Sequence, residues 1–268
     1  MAERGFRFGA VAAPDSSGKQ WQATARKVED LGFSTLLTPD NLRLPHPAAS
    51  LGVAAGATQR LRLGTFVLAS PLRTPRAAAW EAHSLSVLTD GRFELGLGTG
   101  NAQMRQQAPE IGLPYGNGSE RLHRVEETIE HVRTLDGDER TPVLIAAGGP
   151  KARAVAGRRA DIVMIAHPPL ATRSEVRAMV DEVRRAAGDR ADRIEFGTTV
   201  FGVGDAVPEW VEGFLGTDSA TLAENDSLVL LRGGADELRR RREELGISYF
   251  TAHVHALDSF APLVEQLS

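Results

Sequence analysis

The stretch that decides the fold is Leu88-Thr89-Asp90-Gly91-Arg92-Phe93-Glu94-Leu95-Gly96-Leu97-Gly98-Thr99-Gly100-Asn101. Pro75 sits where the first turn of a helix would begin, that helix runs to Leu88, and Asp90-Gly91 turns the chain into a strand starting at Phe93. A short run so nearly apolar belongs to a strand covered on both faces, as in a parallel sheet. Helix, turn and strand in this order make one βα repeat, and the glycines that follow fall at the strand's C-terminal end.

The same unit recurs along the chain. Strand candidates begin near Phe6 (FRFGAVAA), Phe33 (FSTLLT), Leu61 (LRLGTFVL), Phe93 (FELGLG), Pro142 (PVLIAA), Asp161 (DIVMIA), Ile194 (IEFGTTVFG) and Ile247 (ISYFTAHV). The first four start about 30 residues apart, the length of one βα unit. Between strands, Trp21, Ala25, Val28 and Leu31 share a helical face that Gly32 ends, and Gly246 ends another helix after Leu245. Leu122, Val125, Ile129 and Val132 form a further stripe, with Ser119 as its expected N-cap. Eight such units predict an α/β fold, a (β/α)8 TIM barrel over residues 1–268 as a single domain. An open doubly wound sheet is the alternative, since closure is not a property of sequence. In a barrel, function lies at the C-terminal strand ends and in the loops after them. Two of those loops are long, from Gly98 to Gly118 and from Asp205 to Arg232.

Composition narrows the chemistry. The 268 residues are 42% hydrophobic and 25% charged, with 31 basic against 35 acidic side chains and a net charge of −4. Such a chain is globular, and α/β barrels reach roughly 250 residues as one domain. Basic and acidic residues are interspersed, so no broad cationic field exists for a nucleic acid. There is no cysteine, which removes thiolate nucleophiles, disulfides, iron–sulfur clusters and thiolate zinc sites. Pro14, Asp15 and Lys19 interrupt the N-terminal apolar patch where a signal peptide would continue, and no apolar run reaches the ~18 residues of a membrane span. The expectation is a cytoplasmic protein without a membrane partner.

Three strand ends carry residues suited to ligand binding. Gly98-Thr99-Gly100-Asn101 offers free backbone amides and close approach, or simply a tight turn; it lacks the further glycine and the immediate helix of a dinucleotide fingerprint. Ala147-Gly148-Gly149-Pro150-Lys151 precedes a helix-like run, so its amides form either an anion site at a helix N-terminus or an empty strand-to-helix turn. Thr38-Pro39-Asp40-Asn41 places a carboxylate at the mouth, as a base, as an anchor for a heterocycle, or as a turn cap. His167 ends the sixth strand candidate and is the histidine best placed for proton transfer, or for a hydrogen bond at the rim. His253 and His255 share a strand face but have no third ligand, so no metal is expected.

These strand ends, joined by LRLGTFVL and LTDGRFELGLGTGN, resemble the luciferase-like monooxygenase superfamily, and within it the branch of oxidoreductases using the deazaflavin coenzyme F420. The likeness runs from Phe6 to about Ile165 and resumes in LRGGADELRRRREELGISYF, leaving a divergent or shortened region after the sixth strand. The resemblance implies a barrel with the cofactor ring in its mouth, backed by a bulge with a cis non-proline peptide within Thr65-Phe66-Val67. It also implies that Gly98, Thr99 and Gly100 pass the ring, that Ala147, Gly148 and Gly149 donate amides to the cofactor phosphate, and that Asp40 sits beside the ring.

Two positions depart from the sugar-phosphate dehydrogenases of that branch. Asn41 and Asn101 stand where those enzymes have a histidine and a glutamate that handle protons. Amides hydrogen-bond but do not act as general acids or bases near neutral pH. The expected reaction is therefore a reduction by reduced F420, delivering hydride to an activated C=C or C=N bond of a small organic, natural-product or peptide-like substrate, with Asp40 and His167 as the candidate catalytic residues. The alternatives are an FMN-dependent monooxygenase and a cofactor-binding protein without turnover. By analogy with the superfamily the chain is expected to be a homodimer.

Overall fold

A computed structural model describes residues 5–14 and 17–268. The expectation of no N-terminal leader rests partly on positions outside these residues. The strands are β1 (Arg7–Val11), β2 (Thr35–Thr38), β3 (Arg62–Thr65), β4 (Leu68–Ala69), β5 (Phe93–Gly98), β6 (Val143–Ala147), β7 (Ile162–Ile165), β8 (Glu195–Val200), β9 (Gly202–Val203), β10 (Leu230–Leu231) and β11 (Ile247–His253). All eight expected strands are present, the third as two pieces, β3 and β4, on either side of a bulge. Every pairing is parallel, in the order β3-β2-β1-β11-β8-β7-β6-β5-β4, and β3 also pairs with β5 through Leu63↔Phe93 and Gly64↔Glu94, which closes the barrel. The open-sheet alternative is thereby excluded.

The helices are α1 (Gly18–Asp30), α2 (Pro47–Ala55), α3 (Pro75–Leu88), α4 (Met104–Glu110), α5 (Gly118–Asp136), α6 (Pro150–Arg159), α7 (Arg173–Ala187), α8 (Glu209–Leu215), α9 (Ser219–Glu224), α10 (Gly234–Leu245) and α11 (Leu257–Leu267). Helix α1 buries Trp21, Ala25 and Val28, as its periodicity predicts, and Gly32 follows it at φ 80°. Helix α3 has the predicted bounds because Pro75 opens it and the Thr74 hydroxyl accepts from Ala77 N. The cap of α5 lies two residues before the expected Ser119. The Asn117 side chain accepts from Ser119 N and Glu120 N, while the Glu120 carboxylate accepts from Asn117 N, and this reciprocal box needs its cap three residues before the glutamate. None of these helices is long and apolar enough to cross a membrane.

Alternation along the strands sorts the core into two layers. Outward residues such as Phe8, Ala10, Leu36, Leu95 and Val163 pack against the helices, whereas Val11, Leu37, Leu144, Met164 and Tyr249 fill the barrel interior. The N-terminal end of the barrel is closed by charge. Glu94, only 1% exposed, accepts from the Arg7 guanidinium at 2.8 and 2.9 Å and pairs with Arg62, and the Arg7 guanidinium lies 3.9 Å from the Tyr249 ring centroid. A buried carboxylate held by two guanidiniums is structural, so the open C-terminal end is left for chemistry.

The two long connections at that open end carry structure of their own. The first contains α4. The second, between β8 and β11, contains α8, α9 and the β9–β10 ribbon around a small core of Val207, Val211, Leu222, Val229 and Leu230.

Candidate active site

The C-terminal strand ends surround a cavity of about 820 Å³, toward the upper end of typical small-molecule sites. Asp40, Asn41, Phe66, Val67, Gly98, Thr99, Gly100, Asn101, Gly148, Gly149 and His167 all line it, so the structure brings together nearly every position singled out from sequence. Thr65 and Ala147 do not. Thr65 is buried behind the bulge, where its hydroxyl donates to Gly96 O at 2.8 Å and accepts from Gly96 N at 2.9 Å. Ala147 is fully buried in β6, and its carbonyl accepts from Ala166 N.

The bulge explains the glycine spacing. The Phe66-Val67 peptide is cis, within the segment expected from the family resemblance. A Cβ on Gly96 would stand 1.8 Å from Thr65 O, and one on Gly98 would stand 2.5 Å from a Val67 methyl. The glycines of β5 therefore first make room for the neighbouring bulge. Gly98 reaches the cavity, while Gly96 does not.

Asp40 sits beyond the end of β2 with both oxygens engaged. Its Oδ2 accepts from Ala69 N at 2.8 Å and from Arg73 Nη1, and its Oδ1 accepts from Arg73 Nη2 at 3.2 Å. Arg73 also lies 3.5 Å from Glu81. Burial pulls the Arg73 guanidinium down, and the bonds to Asp40 with the charge of Glu81 more than restore it, so its pKa is raised. The same buried setting pushes the Glu81 carboxyl up. Arg73, unmarked by any sequence motif, is what fixes Asp40.

The two asparagines serve the loops. Asn41 Oδ1 accepts from Arg43 N at 2.9 Å and from Gln107 Nε2 at 3.0 Å, while Gln107 Oε1 accepts from Leu42 N. Asn101 Oδ1 accepts from Gln103 N at 3.0 Å, and its carbonyl accepts from the Tyr115 hydroxyl. Both thus form side-chain-closed turns. Gln107, on α4, is a buried partner that sequence reasoning missed.

At the end of β7, His167 Nδ1 donates to Pro168 O at 2.9 Å, which fixes the tautomer and leaves Nε2 to accept from the Thr198 hydroxyl at 3.1 Å. Burial lowers the His167 pKa, a pull that the Pro168 bond only partly offsets and nearby Arg241 adds to. The ring is neutral near pH 7 and carries no proton on Nε2.

Gly148 and Gly149 are exposed at the end of β6. Gly149 is the N-cap of α6 and makes no side-chain cap, with Pro150 at the first helical position. Nothing lies within 4 Å of where a Gly149 Cβ would stand. The Arg153 guanidinium braces the turn by donating to Gly148 O and to Glu182 at 2.7 Å. The first-turn amides thus face open space with the positive end of the helix dipole behind them. Among the described residues lining the cavity, Asp40 and His167 are the only titratable side chains.

His253 and His255 lie outside the lining. Their Nδ1 atoms are 3.0 Å apart, and both rings pack against Trp210 on α8, at 4.7 and 5.4 Å between centroids. They hold the β8–β11 excursion to the end of β11. Among the described residues, no group of three or more potential ligands is arranged to hold a metal.

A closed parallel barrel with a bulged third stave and a glycine-lined mouth is the setting of the luciferase-like fold. Residues 6–209 match the luciferase-like monooxygenase family model, and the chain belongs to that family. The match passes through the region after the sixth strand, so the likeness extends beyond Ile165, where sequence motifs alone had it weaken. The chain is 33% identical over 164 residues to an F420-dependent glucose-6-phosphate dehydrogenase of Beutenbergia cavernae, covering 50% of this chain and 48% of that protein. A protein of the same name from Nakamurella multipartita is 30% identical over 225 residues, covering 71% and 65%. The chain thus spans about half the length of the first of these curated relatives and 65% of the second. Among solved structures, the F420-dependent tetrahydromethanopterin reductase of Methanopyrus kandleri superimposes with a TM-score of 0.76 at 17% identity, covering 99% of this chain and 100% of that one. At that identity the likeness is one of fold.

Proposed function

We propose that the chain is an F420-dependent oxidoreductase working as a reductase on an activated C=C or C=N bond of a small organic or natural-product substrate. The observation that carries this reading is the scarcity of acid–base groups in the cavity. Asp40 has both oxygens committed, neutral His167 has both ring nitrogens committed, and Asn41 and Asn101 close turns. Oxidising an alcohol needs a base at the hydroxyl, whereas reducing an activated bond needs an oriented acceptor and one proton, which water entering the open mouth supplies.

The residues present fit the cofactor. The open space at Gly149 and the uncapped start of α6 suit a phosphate, with Gly148 and Gly149 as the amide donors. Gly98, Thr99 and Gly100 would flank the remainder, with Phe66 and Val67 behind it. When bound in reduced form, the deazaflavin supplies hydride from its ring carbon. Asp40 is then a positioning residue that holds Arg73 and the Ala69 amide in place, and His167 orients the Thr198 hydroxyl. The homodimer belongs to the same proposal, supported by Trp80, Val87 and Leu88, which stand exposed on α3.

The test is a fluorescence titration of the cofactor-free protein with F420 and, separately, with FMN. Preferential binding of F420, followed by substrate-dependent oxidation of F420H2, is the expected result. Preference for FMN would overturn the cofactor assignment and favour oxygen chemistry.

A further inference from the structure

The cavity's outer wall and its charge say what kind of molecule reacts there. The β8–β11 excursion contributes Phe201, Phe214, Leu215 and Val229 to the lining. The Phe201 and Phe214 rings lie 5.9 Å apart at 39°, yet Phe214 is 67% exposed, so much of this large aromatic surface has no protein partner. Phe214 is nonetheless held in place, because α8 sits on the small core around Val211 and Leu222 and is pinned through Trp210 to His253 and His255.

Positive charge is missing from the same space. No lysine or arginine lines the cavity among the described residues. Three guanidiniums close to the strand ends are committed: Arg73 to Asp40 and Glu81, Arg121 to the carbonyls of Thr99 and Gly116, and Arg153 to Gly148 O and Glu182. Lys151 borders a separate surface depression on α5 and α6. The one feature suited to an anion, the start of α6, is taken by the cofactor phosphate in the function proposed above. A second phosphate would lose water without gaining a counter-charge, which is costly.

The β8 side of the cavity offers a neutral donor. The Thr251 hydroxyl donates to Thr199 Oγ1 at 3.0 Å, so the Thr199 proton is left to point at a ligand, and Thr199 lines the cavity. A threonine donor on one side and an aromatic face on the other suit a flat, uncharged molecule with a carbonyl.

We infer that the substrate is a neutral, planar, α,β-unsaturated carbonyl compound, its apolar body against Phe214 and its carbonyl on Thr199, and that phosphorylated sugars are not substrates. The inference rests on the reductase reading for its choice of bond, but its test does not need turnover. Saturation-transfer NMR is recorded on the whole chain with coumarin and with glucose 6-phosphate, once without cofactor and once saturated with oxidised F420. Coumarin is expected to bind in both states. Phe214→Ala is expected to weaken it about fivefold and Phe214→Tyr to preserve it, in line with the modest energy of one aromatic contact. Thr199→Val should weaken it by a similar factor.

Glucose 6-phosphate is expected to give no signal in the F420-loaded protein. Displacement of coumarin by glucose 6-phosphate in that state overturns the inference. So does failure of coumarin to bind, or coumarin affinity in Phe214→Ala within twofold of the parent. If F420 itself does not bind, the reductase reading fails, and the cofactor-free spectra still decide whether Phe214 and Thr199 form the ligand wall.

Discussion

Replacing Arg73 with methionine separates a held carboxylate from a working one. In the parent, the Asp40 side chain is 3% exposed and takes three hydrogen bonds, two of them from Arg73. Arg73→Met keeps the aliphatic bulk but leaves a buried carboxylate with only the Ala69 amide. Breaking one half of a buried pair costs about 3–5 kcal/mol. At ~2–4 °C per kcal/mol for a chain of this size, Tm should fall by about 10 °C. Adding Asp40→Asn removes the stranded charge and should recover much of the loss, giving a coupling of about 2 kcal/mol or more. Circular-dichroism melts of parent, both single variants and the double variant supply the cycle. A Tm for Arg73→Met within about 3 °C of the parent, or strictly additive losses, would refute the reasoning.

Other substitutions test the remaining parts of the site. Gly96→Ala should destabilise the fold by more than about 3 kcal/mol, because its methyl meets the Thr65 carbonyl and backbone gives way poorly; urea denaturation measures it. Gly149→Ala, with open space for its methyl, should leave stability within about 0.5 kcal/mol while weakening F420 binding, read by fluorescence titration. The His253 pKa is pushed down to about 4 by burial and by neighbouring His255. Between pH 6.5 and 4 the unfolded chain therefore takes up a proton that the folded chain refuses, so stability falls as pH falls, by an upper limit of about 3 kcal/mol. A histidine NMR titration placing His253 at its unperturbed value near 6.5 would contradict this.

The barrel was legible because its signals are local. Apolar runs, Gly32 and Gly246 at helix ends, Pro75 at a helix start and the turn at Asp90-Gly91 each act within a few residues. The site's positions were legible for a related reason, since strand ends in a barrel converge whatever their spacing in sequence. What resisted reading was partnership at long range. Arg73 lies 33 residues from Asp40 and Gln107 lies 66 from Asn41, and nothing local marks either pairing. The packing role of Gly96 and Gly98 is of the same long-range kind: a Cβ at either position would meet the bulge of another strand, and Gly98 lines the cavity as well. Thr198, Thr199 and Phe214 went unnoticed because a threonine in a strand or a phenylalanine on a short helix carries no motif.

The excursion between β8 and β11 is assembled largely on its own core and fastened to the barrel by Trp210 against His253 and His255, by Ser227 donating to Pro169 O and by Arg241 donating to the Leu228 and Leu230 carbonyls, whereas the proposed phosphate cradle is built on β6 and α6. Divergence can act on the two separately. Exchanging residues 205–229 for a different sequence of similar length would alter which molecules are admitted without touching the turn at Gly148 and Gly149. Such a layout makes this excursion the natural unit for recombination in the laboratory.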